Sequence, residues 1–547
     1  MEVHGPVRRP VEVMLTTAVW FLCVSCSGAQ IEGSSLKALA AARVQPAGGQ
    51  AGAPAAPGEA TPPGTSESAP AGQPSRIPSR LALTDAFRLA LEANKDVLVA
   101  AYGADAAEAR IWGAKGEFDP TVFAQATRGR SNLPVAGVPL TETDTSEGGI
   151  SAGVRQRVVT GTDVELTAST SYMRDLTGAS ALNPQHMSGL SLSVTQDLLR
   201  NFGIGINRTN ILIAQNNWEI SKEDLRSTII ENLFEVENAY WELYFAIADL
   251  KVRQVQQERA NKLVQRAEAQ VKVGEAAPID VTRAKSSAAT QAVAILDARN
   301  QIIKLRHRLL RVMGILDPEL AGTEFELADA PPGAVSQVSL AEALDTALKS
   351  RPDYVQASLA VDNAELQRRF ARNQRLPKLQ LFGDVSVVGL DDEFGSSVDM
   401  AERGDFNTWE VGLLFEWPVP NRTARANYRV AQLEHLRAKV RLNALTEQVT
   451  REVADALADL QTAEGRIASA SEAHDLAERL LQAEEKSFSL GRSNSVDVLI
   501  AQEGAASAER DVVRARADYA NALAGLLRVQ GDLLEARGIG FVQPPRE

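Results

Sequence analysis

The sequence is poor in cysteine and aromatic residues, and it has no excess of positive charge. Its two cysteines, Cys23 and Cys26, lie near the start, which excludes a disulfide framework and a cysteine-based zinc site in the body of the chain. The 57 Lys and Arg against 70 Asp and Glu give a net charge of −13. This balance argues against a general nucleic-acid binder, because phosphate contacts need a basic face. Aromatic residues make up 5% and alanine is abundant, which indicates long helices rather than a β-sandwich.

Patterns of catalytic and metal-binding residues are also missing. The five histidines are scattered, and the sequence contains no HExxH, no GxSxG and no glycine-rich phosphate loop. The acidic run Asp391-Asp392-Glu393 could hold Ca²⁺, but a solvated loop is the simpler interpretation. We therefore predict a protein that is not an enzyme and that has no cofactor and no metal site.

The N-terminus has the pattern of an export signal. An apolar stretch at 13–24 follows two arginines, precedes small residues, and is too short to span a bilayer as a helix. Cleavage after Ala29 and a lipobox that leaves Cys26 lipidated are both compatible with the pattern. We assign 1–29 to the signal peptide and 30–78, which is rich in Ala, Pro and Gly, to a disordered leader.

The rest of the chain is a tandem repeat. The segment LALTDAFRLALEANKDVLVA at 81 matches VSLAEALDTALKSRPDYVQA at 338, and VGEAAPIDV at 273 matches LGRSNSVDV at 490. These pairs predict two copies, at 81–325 and 338–537.

Each copy is predicted to contain an unusually long helix. A first helix of about 30 residues, capped by Thr84 or Ser339, leads to strands and then to proline-free stretches at 208–272 and 423–489. Each long stretch would form a helix of about 100 Å. Apolar residues recur along both at coiled-coil spacing, so His474 on the second stripe is read as a packing residue.

The strand zones alternate apolar and polar residues, as in GLSLSVTQ, LPKLQLFGDVSVV and EVGLLFEW. Such alternation fits transmembrane β-strands, and it also fits a half-buried soluble sheet. Export and the helix lengths favour the membrane interpretation. Four to six strands are predicted per chain, whereas a closed barrel needs about eight or more, so membrane-spanning strands require an oligomer.

The first copy has an excess of residues in its strand zone. Asp197 lies 77 positions after Pro120, whereas Pro418 lies 41 positions after Pro377. Within the excess, GISAGVRQRVVTGTDVELTASTSYM has the pattern of two strands joined at 160–163. The segment is either an extra hairpin or an elaborated surface loop.

These features together resemble the TolC-like outer-membrane efflux ducts over essentially all of 81–537. The resemblance rests on the duplication, the helix–Pro–strand junctions at Pro120 and Pro377, the segment SLSVTQDLLRNFG, and the two hairpin tips. It implies a mixed α/β membrane protein in which a homotrimer forms one outer-membrane β-barrel of about twelve strands. It also implies a long coiled-coil α-helical barrel in the periplasm that narrows at the hairpin tips.

The resemblance also assigns roles to residues near the tips. It places a pore-gating acid at Asp497, and it implies docking of a periplasmic adaptor at the tips, which here are Val273, Gly274, Leu490 and Gly491. A second gating acid of the family falls on Ile500, so a double acidic ring is not implied. In the family, the acid at the position of Asp280 pairs with a basic residue of the second tip. That basic residue aligns with Ser493 here, and Arg492 next to it could take its place. Both aspartates could instead serve as ordinary helix N-caps.

The implied function is that of an exit duct, in the outer membrane of a Gram-negative cell, for a tripartite efflux or type I secretion system. Its partners would be a second and third copy, a periplasmic adaptor, an inner-membrane RND or ABC pump, and outer-membrane lipid. A periplasmic coiled-coil scaffold or adaptor is the alternative, since it would share export and long helices. Drug, metal and protein cargo all fit the sequence, although the lack of Met- and His-rich tracts disfavours a dedicated copper or silver duct.

Overall fold

A computed structural model of the chain describes residues 78–135, 141–178, 180–274, 277–317, 322, 324–333, 338–490, 492–493 and 495–540. The predicted signal peptide with Cys26, and all but the last residue of the predicted leader, lie outside these residues. The strands are β1 (Arg80–Leu81), β2 (Thr121–Val135), β3 (Thr141–Val158), β4 (Thr162–Asp175), β5 (Gln185–Asp197), β6 (Glu326–Leu327), β7 (Lys378–Asp391) and β8 (Phe406–Glu416). The helices are α1 (Leu83–Ala93), α2 (Lys95–Lys115), α3 (Ile204–Asn207), α4 (Thr209–Lys272), α5 (Pro278–Val312), α6 (Leu340–Ser350), α7 (Pro352–Asn373), α8 (Phe394–Arg403), α9 (Arg422–Ser489), α10 (Ser495–Gln530) and α11 (Leu533–Ala536).

Each copy opens with two short helices, so the prediction of a single helix of about 30 residues is wrong. In the first copy the chain bends at Asn94, whose side-chain oxygen accepts the N–H groups of Asp96 and Val97 and so caps α2. In the second copy it bends at Arg351, and Pro352 is the first residue of α7. The two copies thus make the same corner with different residues.

The helix caps predicted for the two copies have different outcomes. Ser339 caps α6, as predicted, and it also forms a capping box with Glu342. Thr84 does not cap α1, because the helix begins at Leu83 after the N-cap Ala82, and Thr84 lies inside it. The N–H of Leu83 instead donates to the carboxylate of Asp329, at 2.7 Å, from the segment that joins the copies.

The two long helices are the dominant elements. They contain 64 and 68 residues and begin within one residue of the predicted positions. At 1.5 Å per residue each is about 100 Å long. The predicted apolar stripes are buried or half-buried in both helices, and His474 lies half-buried on the second stripe.

The main core surrounds the middle of α4. Tyr240 lies at its centre, fully buried, and its hydroxyl donates to the carbonyl of Leu81 at 3.0 Å and accepts the N–H of Asp329 at 3.1 Å. Burial raises the pKa of Tyr240 to about 12. Three segments that are distant in the chain therefore meet at one side chain.

The large sheet has six antiparallel strands in the order β2-β3-β4-β5-β7-β8. Four come from the first copy and two from the second, so the described residues give six strands in this sheet, the upper end of the predicted range. The excess segment of the first copy is a hairpin, with β3 and β4 joined by the turn at 159–161. The interpretation as a surface loop is wrong.

Asparagines join the sheet to the helices. The N–H of Asn201 donates to the side-chain oxygen of Asn373 at 2.8 Å, and Gln374 donates to the side chain of Asn201 at 2.6 Å. Asn207 donates to the carbonyl of Asn201 at 2.8 Å. Asn201 has a positive φ of 63°, which asparagine tolerates better than most residues. The junction thus ties the first copy to the second where the strands end.

The helices form a layer of four at each level. Next to the sheet the order of neighbours is α2-α4-α7-α9, and towards the hairpin tips it is α5-α4-α10-α9. In the part of the chain that the structure describes, no helix is both long and apolar enough to cross a membrane.

A short helix that the sequence analysis missed lies on the sheet. The predicted solvated loop of Asp391, Asp392 and Glu393 leads directly into α8. This helix packs over β5 and β7, where Ser397 and Ser188 share a hydrogen bond of 2.9 Å. A Cβ at Gly389 would lie 2.0 Å from the carbonyl oxygen of Ser397, so the helix needs glycine beneath it. Among the described residues no group of three or more His, Cys, Asp or Glu could hold a metal ion.

Candidate gate and docking tips

The first hairpin tip is a tight turn between α4 and α5. Gly274 has a φ of +79°, in the left-handed region that favours glycine, and its N–H donates to the carbonyl of Val271 at 3.1 Å. Val273 beside it is 70% exposed. Pro278 is the first residue of α5, a position that suits proline because its missing N–H has no partner there. An exposed apolar side chain therefore lies where α4 ends and the turn begins.

The second tip lies between α9 and α10. The N–H groups of Leu490 and Arg492 both donate to the carbonyl of Ser487, and Leu490 and Arg492 are exposed. The hydroxyl of Ser493 donates to the carboxylate of Glu484 at 2.8 Å. Gly491, a predicted docking residue, lies outside the described residues. The two tips thus share an exposed apolar residue at the end of the long helix.

Four helices meet just behind the tips in one small apolar cluster. Its buried members are Leu263 and Ala267 of α4, Ala284 of α5, Phe488 of α9 and Val498 of α10. The cluster fixes the two hairpins side by side, so both tips lie at the same end of the molecule. Local sequence patterns did not indicate this cluster, although Val498 ends the segment LGRSNSVDV and Phe488 lies two residues before it.

Asp280 and Asp497 occupy the same position in their helices. Each is the third residue of its helix, and Ala277 is the N-cap of α5, so the N-cap alternative is wrong for Asp280. A carboxylate in the first turn is favoured by the helix dipole. Asp280 lies 3.6 Å from Arg283, one turn further along α5.

The exposed face of α10 at the tip combines one acid and one apolar residue. Asp497 is exposed, and Ile500, three residues later on the same side of the helix, is 64% exposed. Val498 between them points into the apolar cluster. An acidic and an apolar side chain therefore follow one another along this face.

Ion pairs hold the tip region together across helices. Lys285 of α5 lies 2.8 Å from Glu268 of α4, and the hydrogen bond from its ammonium group lowers the pKa of Glu268. Arg259 of α4 lies 4.0 Å from Glu478 of α9. The first pair joins the two helices of one hairpin, and the second joins the two hairpins. The members of the first pair lie on opposite sides of a turn, and the members of the second are about 200 residues apart in the chain. No local sequence pattern indicated either pair.

A charged cleft halfway along the helices was also missed. Arg351 lies 2.7 Å from both Asp353 and Glu452, and Arg528 lies 2.9 Å from Glu231. Burial acts to raise the pKa of Glu452, but hydrogen bonds from Gln448 and Arg351 outweigh it, and the pKa lies below its usual value. Residues of both copies line the cleft. It lies at the level where α2 and α7 of the helix layer give way to α5 and α10.

The comparison with protein families agrees with this architecture. The family model described as outer membrane efflux protein matches residues 163–315 and 343–532. The chain belongs to this family. Its members are channels rather than enzymes, and the TolC-like resemblance predicted from the sequence is confirmed.

Individual members of the outer membrane efflux protein family are distant in sequence. The outer membrane efflux protein BepC of Brucella suis biovar 1 (strain 1330) is 25% identical over 326 residues, which cover 59% of this chain and 68% of that protein. The outer membrane protein TolC of Salmonella enteritidis is 25% identical over 364 residues, which cover 65% of this chain and 71% of that protein.

Solved structures show the same fold. The outer-membrane channel OprN superposes with a TM-score of 0.61 at 19% identity, over 82% of this chain and 90% of OprN. The outer membrane protein VceC of Vibrio cholerae superposes with a TM-score of 0.59 at 18% identity, over 82% of this chain and 96% of VceC. The fold is therefore that of the TolC-like channels.

Proposed function

We propose that the protein is the outer-membrane exit duct of a tripartite efflux or type I secretion system. In this role it passively conducts solutes or proteins from an inner-membrane pump to the exterior. The observation that carries the proposal is a sheet with one apolar face across all six strands, joined end to end with helices of about 100 Å.

The apolar face follows from the register of the strands. Residues directly opposite one another share a face, and one-to-one pairing continues from β2 to β8. None of the apolar side chains on this face is buried: Val122, Ala124, Ala126, Ile150, Ala152, Val154, Val164, Leu166, Ala168, Leu190, Leu192, Val194, Leu379, Leu381, Val385, Val387, Trp409, Val411, Leu413 and Phe415. The helix α8 packs on this face at the end that carries Ser188 and Gly389. The apolar side chains along the rest of the face are not buried, which suits contact with lipid.

The opposite face of the sheet is polar. Glu165, Ser193, Asp384 and Glu410 lie opposite one another along neighbouring strands, and Arg155 lies opposite Glu165. Polar residues on one face and apolar residues on the other are the pattern of a wall between lipid and a water-filled lumen.

Both edges of the sheet are open in a single chain. In the part of the chain that the structure describes, β2 and β8 each have a neighbour strand on one side only. Backbone groups at an open edge cannot be left unpaired in lipid. The sheet contains an even number of antiparallel strands, so β8 of one copy can pair with β2 of the next and remain antiparallel. Closure by further copies of the chain follows.

The helix layer also has two open sides. Exposed apolar residues lie on its outer helices: Val99, Tyr102 and Trp112 on α2, Val293, Leu296 and Ile303 on α5, and Val430, Leu433, Leu436, Val440, Leu476 and Leu480 on α9. Packing α9 against α2 and α5 of the next copy would cover them. Together with the family resemblance, this supports a homotrimer with its sheet in the outer membrane and its helices in the periplasm.

The tips are proposed as the docking site for a periplasmic adaptor and as the narrow end of the duct. Val273, Gly274, Leu490 and Gly491 would contact the adaptor, which in turn binds an RND or ABC pump in the inner membrane. Asp497 would form a ring of three carboxylates at the neck, and Asp280 with Arg492 would restrain it. Such a ring favours cations and repels anions.

Membrane extraction and conductance test the proposed duct. The full chain is expressed in a Gram-negative host, extracted from the outer membrane with detergent, weighed by native mass spectrometry and inserted into a planar bilayer. We expect a trimer that conducts ions. A water-soluble monomer or dimer without conductance would refute the duct and favour the periplasmic scaffold.

A substitution at the first tip tests adaptor docking. Gly274→Val forces a β-branched residue to a φ of +79°, although nothing lies within 4 Å of the added Cβ. We expect weaker binding to the adaptor at unchanged trimer content, because only the turn is distorted. Gly504→Val on the body of α10, where a Cβ also has open space, is the control. Equal adaptor binding by both variants would count against the docking role.

A further inference from the structure

The large sheet consists of three hairpins, whereas the resemblance to the TolC-like ducts implies fewer strands per chain. A ring of about twelve strands in a trimer corresponds to four strands per chain, but the described part of this chain has six in the large sheet. The match to the family begins at residue 163, one residue into β4, so that β2 and β3 precede it. The position of this first hairpin determines the number of strands in the ring.

The hairpin of β2 and β3 is built in the same way as the hairpin of β7 and β8. Phe123 lies directly opposite Gly153 in the first, and Phe382 lies directly opposite Gly412 in the second. A Cβ on Gly153 would meet the ring of Phe123 at 2.7 Å, and one on Gly412 would meet the ring of Phe382 at 2.3 Å. Each phenylalanine thus covers the glycine of the partner strand, and 30 positions separate the two members in both copies. Two hairpins with the same internal packing are equivalent parts of one wall.

The turn between β3 and β4 is seated on the helix junction. Gly161 has a φ of +88°, and a Cβ there would lie 2.5 Å from the carbonyl oxygen of Asn201. The carbonyl of Gly161 accepts the N–H of Asp197 at 3.1 Å, and the carbonyl of Thr160 accepts the N–H of Gly203 at 3.3 Å. These contacts hold the first hairpin in line with the rest of the sheet at its periplasmic end.

The width of six strands matches the width of the helix layer. Four helices packed 8–10 Å apart span about 32–40 Å. Six strands about 4.8 Å apart and tilted by about 35–45° span about 35–41 Å around a barrel, whereas four strands span about 23–27 Å. A six-stranded sheet therefore continues the helix layer without narrowing.

We infer that the β2 edge is the interface for β8 of a second copy, so that a trimer closes a wall of eighteen strands rather than about twelve. This inference rests on the proposed duct. Because barrel diameter grows roughly linearly with strand number, the mouth in the membrane is about half again as wide as a twelve-stranded one. The outer mouth then admits whatever fits through the helical part of the duct.

Thiol crosslinking tests which strand meets β8 of the neighbouring copy. Thr408→Cys on β8 is combined in turn with Gln125→Cys or Thr127→Cys on β2, or with Thr167→Cys on β4, and all four positions lie on the polar face. Each single variant is the background control, and a short bifunctional maleimide is added to the trimer in detergent. We expect linked dimers and trimers with at least one β2 position and none with β4. Linkage to β4, or to neither β2 position, overturns the inference.

Polymer exclusion measures the width of the mouth. A variant that lacks residues 141–175 joins β2 to β5 and keeps four strands. Polyethylene glycols of increasing size are added to the outer side only of a planar bilayer. The largest polymer that still lowers the current is expected to be about one third narrower in the variant. An equal cut-off in both proteins overturns the inference.

The two results separate this inference from the proposed duct. A chain that conducts no ions and forms no trimer refutes the duct itself. A conducting trimer in which β8 links to β4 leaves the duct in place and refutes only the eighteen-stranded wall. If the deletion variant does not fold, the crosslinking experiment on the full chain still decides.

Discussion

At the scale of single residues, side chains that join distant segments carry much of the stability. Glu237 of α4 is almost fully buried, accepts a hydrogen bond from Arg537 at 3.2 Å, and accepts another from Trp241 at 3.3 Å. Burial raises the pKa of Glu237 although Arg537 opposes this effect. The end of the second copy is thus fixed to the core of the first through one carboxylate.

Tyr240→Phe tests the junction of three segments. The substitution removes the hydroxyl that donates to the carbonyl of Leu81 and accepts the N–H of Asp329. The Leu81 carbonyl keeps its bond from the N–H of Ala328 at 2.9 Å, whereas the N–H of Asp329 loses the Tyr240 oxygen in the core. We expect a loss of about 1–3 kcal/mol in the free energy of unfolding. Tyr102→Phe, at an exposed tyrosine of α2, is the control and should change it by about 0.5 kcal/mol or less. Denaturant unfolding measures both, and equal values would contradict the assigned role.

Asp497→Ala tests the proposed gate. A carboxylate near a passing ion contributes about 1 kcal/mol at 4 Å in water, so removing it should lower the preference for cations roughly fivefold. Asp511→Ala is the control, since Asp511 is an exposed acid on the same side of α10 about 21 Å from Asp497. Reversal potentials in a salt gradient measure the preference. An unchanged cation preference in Asp497→Ala would contradict the gate role. Asp497 would then only stabilise the first turn of its helix.

At the scale of elements, one carboxylate pairs with two arginines of its own helix and faces a histidine of the neighbouring helix. Glu365 of α7 accepts hydrogen bonds from Arg368 at 2.6 Å and Arg369 at 2.9 Å, and His435 of α9 lies 3.7 Å away. The hydrogen bond from Arg368 is the main reason why the pKa of Glu365 falls to about 2. The carboxylate therefore stays charged over the whole physiological range.

Glu365→Gln tests the pH dependence of this contact. Because the pKa is lower in the folded state, the stabilisation is complete above the ordinary value of about 4.5 and is lost as the pH falls from there towards 2. The variant should be less stable than the natural protein at pH 7, and this difference should approach zero only as the pH falls to about 2 and below. Thermal unfolding at several pH values measures the difference, and a difference that stays constant across them would contradict the prediction.

At the scale of the whole molecule, assembly should depend on the open sides of the helix layer. Val440 of α9 is 67% exposed in the single chain, and the proposed trimer would bury it. Val440→Glu should dissociate the trimer, because three unpaired carboxylates would be desolvated at a cost of several kcal/mol each. Arg441→Glu, at an exposed charged position beside it, is the control. Native mass spectrometry measures trimer content, and trimer at the natural level in Val440→Glu would place the interface elsewhere.

Local patterns determined the elements themselves. The absence of proline and the regular apolar spacing placed both long helices within a residue of their bounds, because helix formation depends on contacts three and four positions apart. Alternation placed β5, β7 and β8, since side chains in a strand point to opposite faces in turn. The repeat and the tips were also visible, because Gly274 and Pro278 suit one kind of turn.

What the sequence left open was decided by contacts between distant segments. It could not choose between a hairpin and a surface loop after Pro120, because strand pairing depends on partners such as Gly153 opposite Phe123. It placed a cap at Thr84, whereas Asp329, about 245 positions away, binds the first turn of α1. It missed α8, the charged cleft and the apolar cluster behind the tips for the same reason. The sequence by itself determined the two long helices, the strands β5, β7 and β8 and the first tip, since these depend on neighbouring residues. Only the tertiary structure decided the strand count, the order of the layers and the edges left for a neighbour, since these depend on contacts between distant segments.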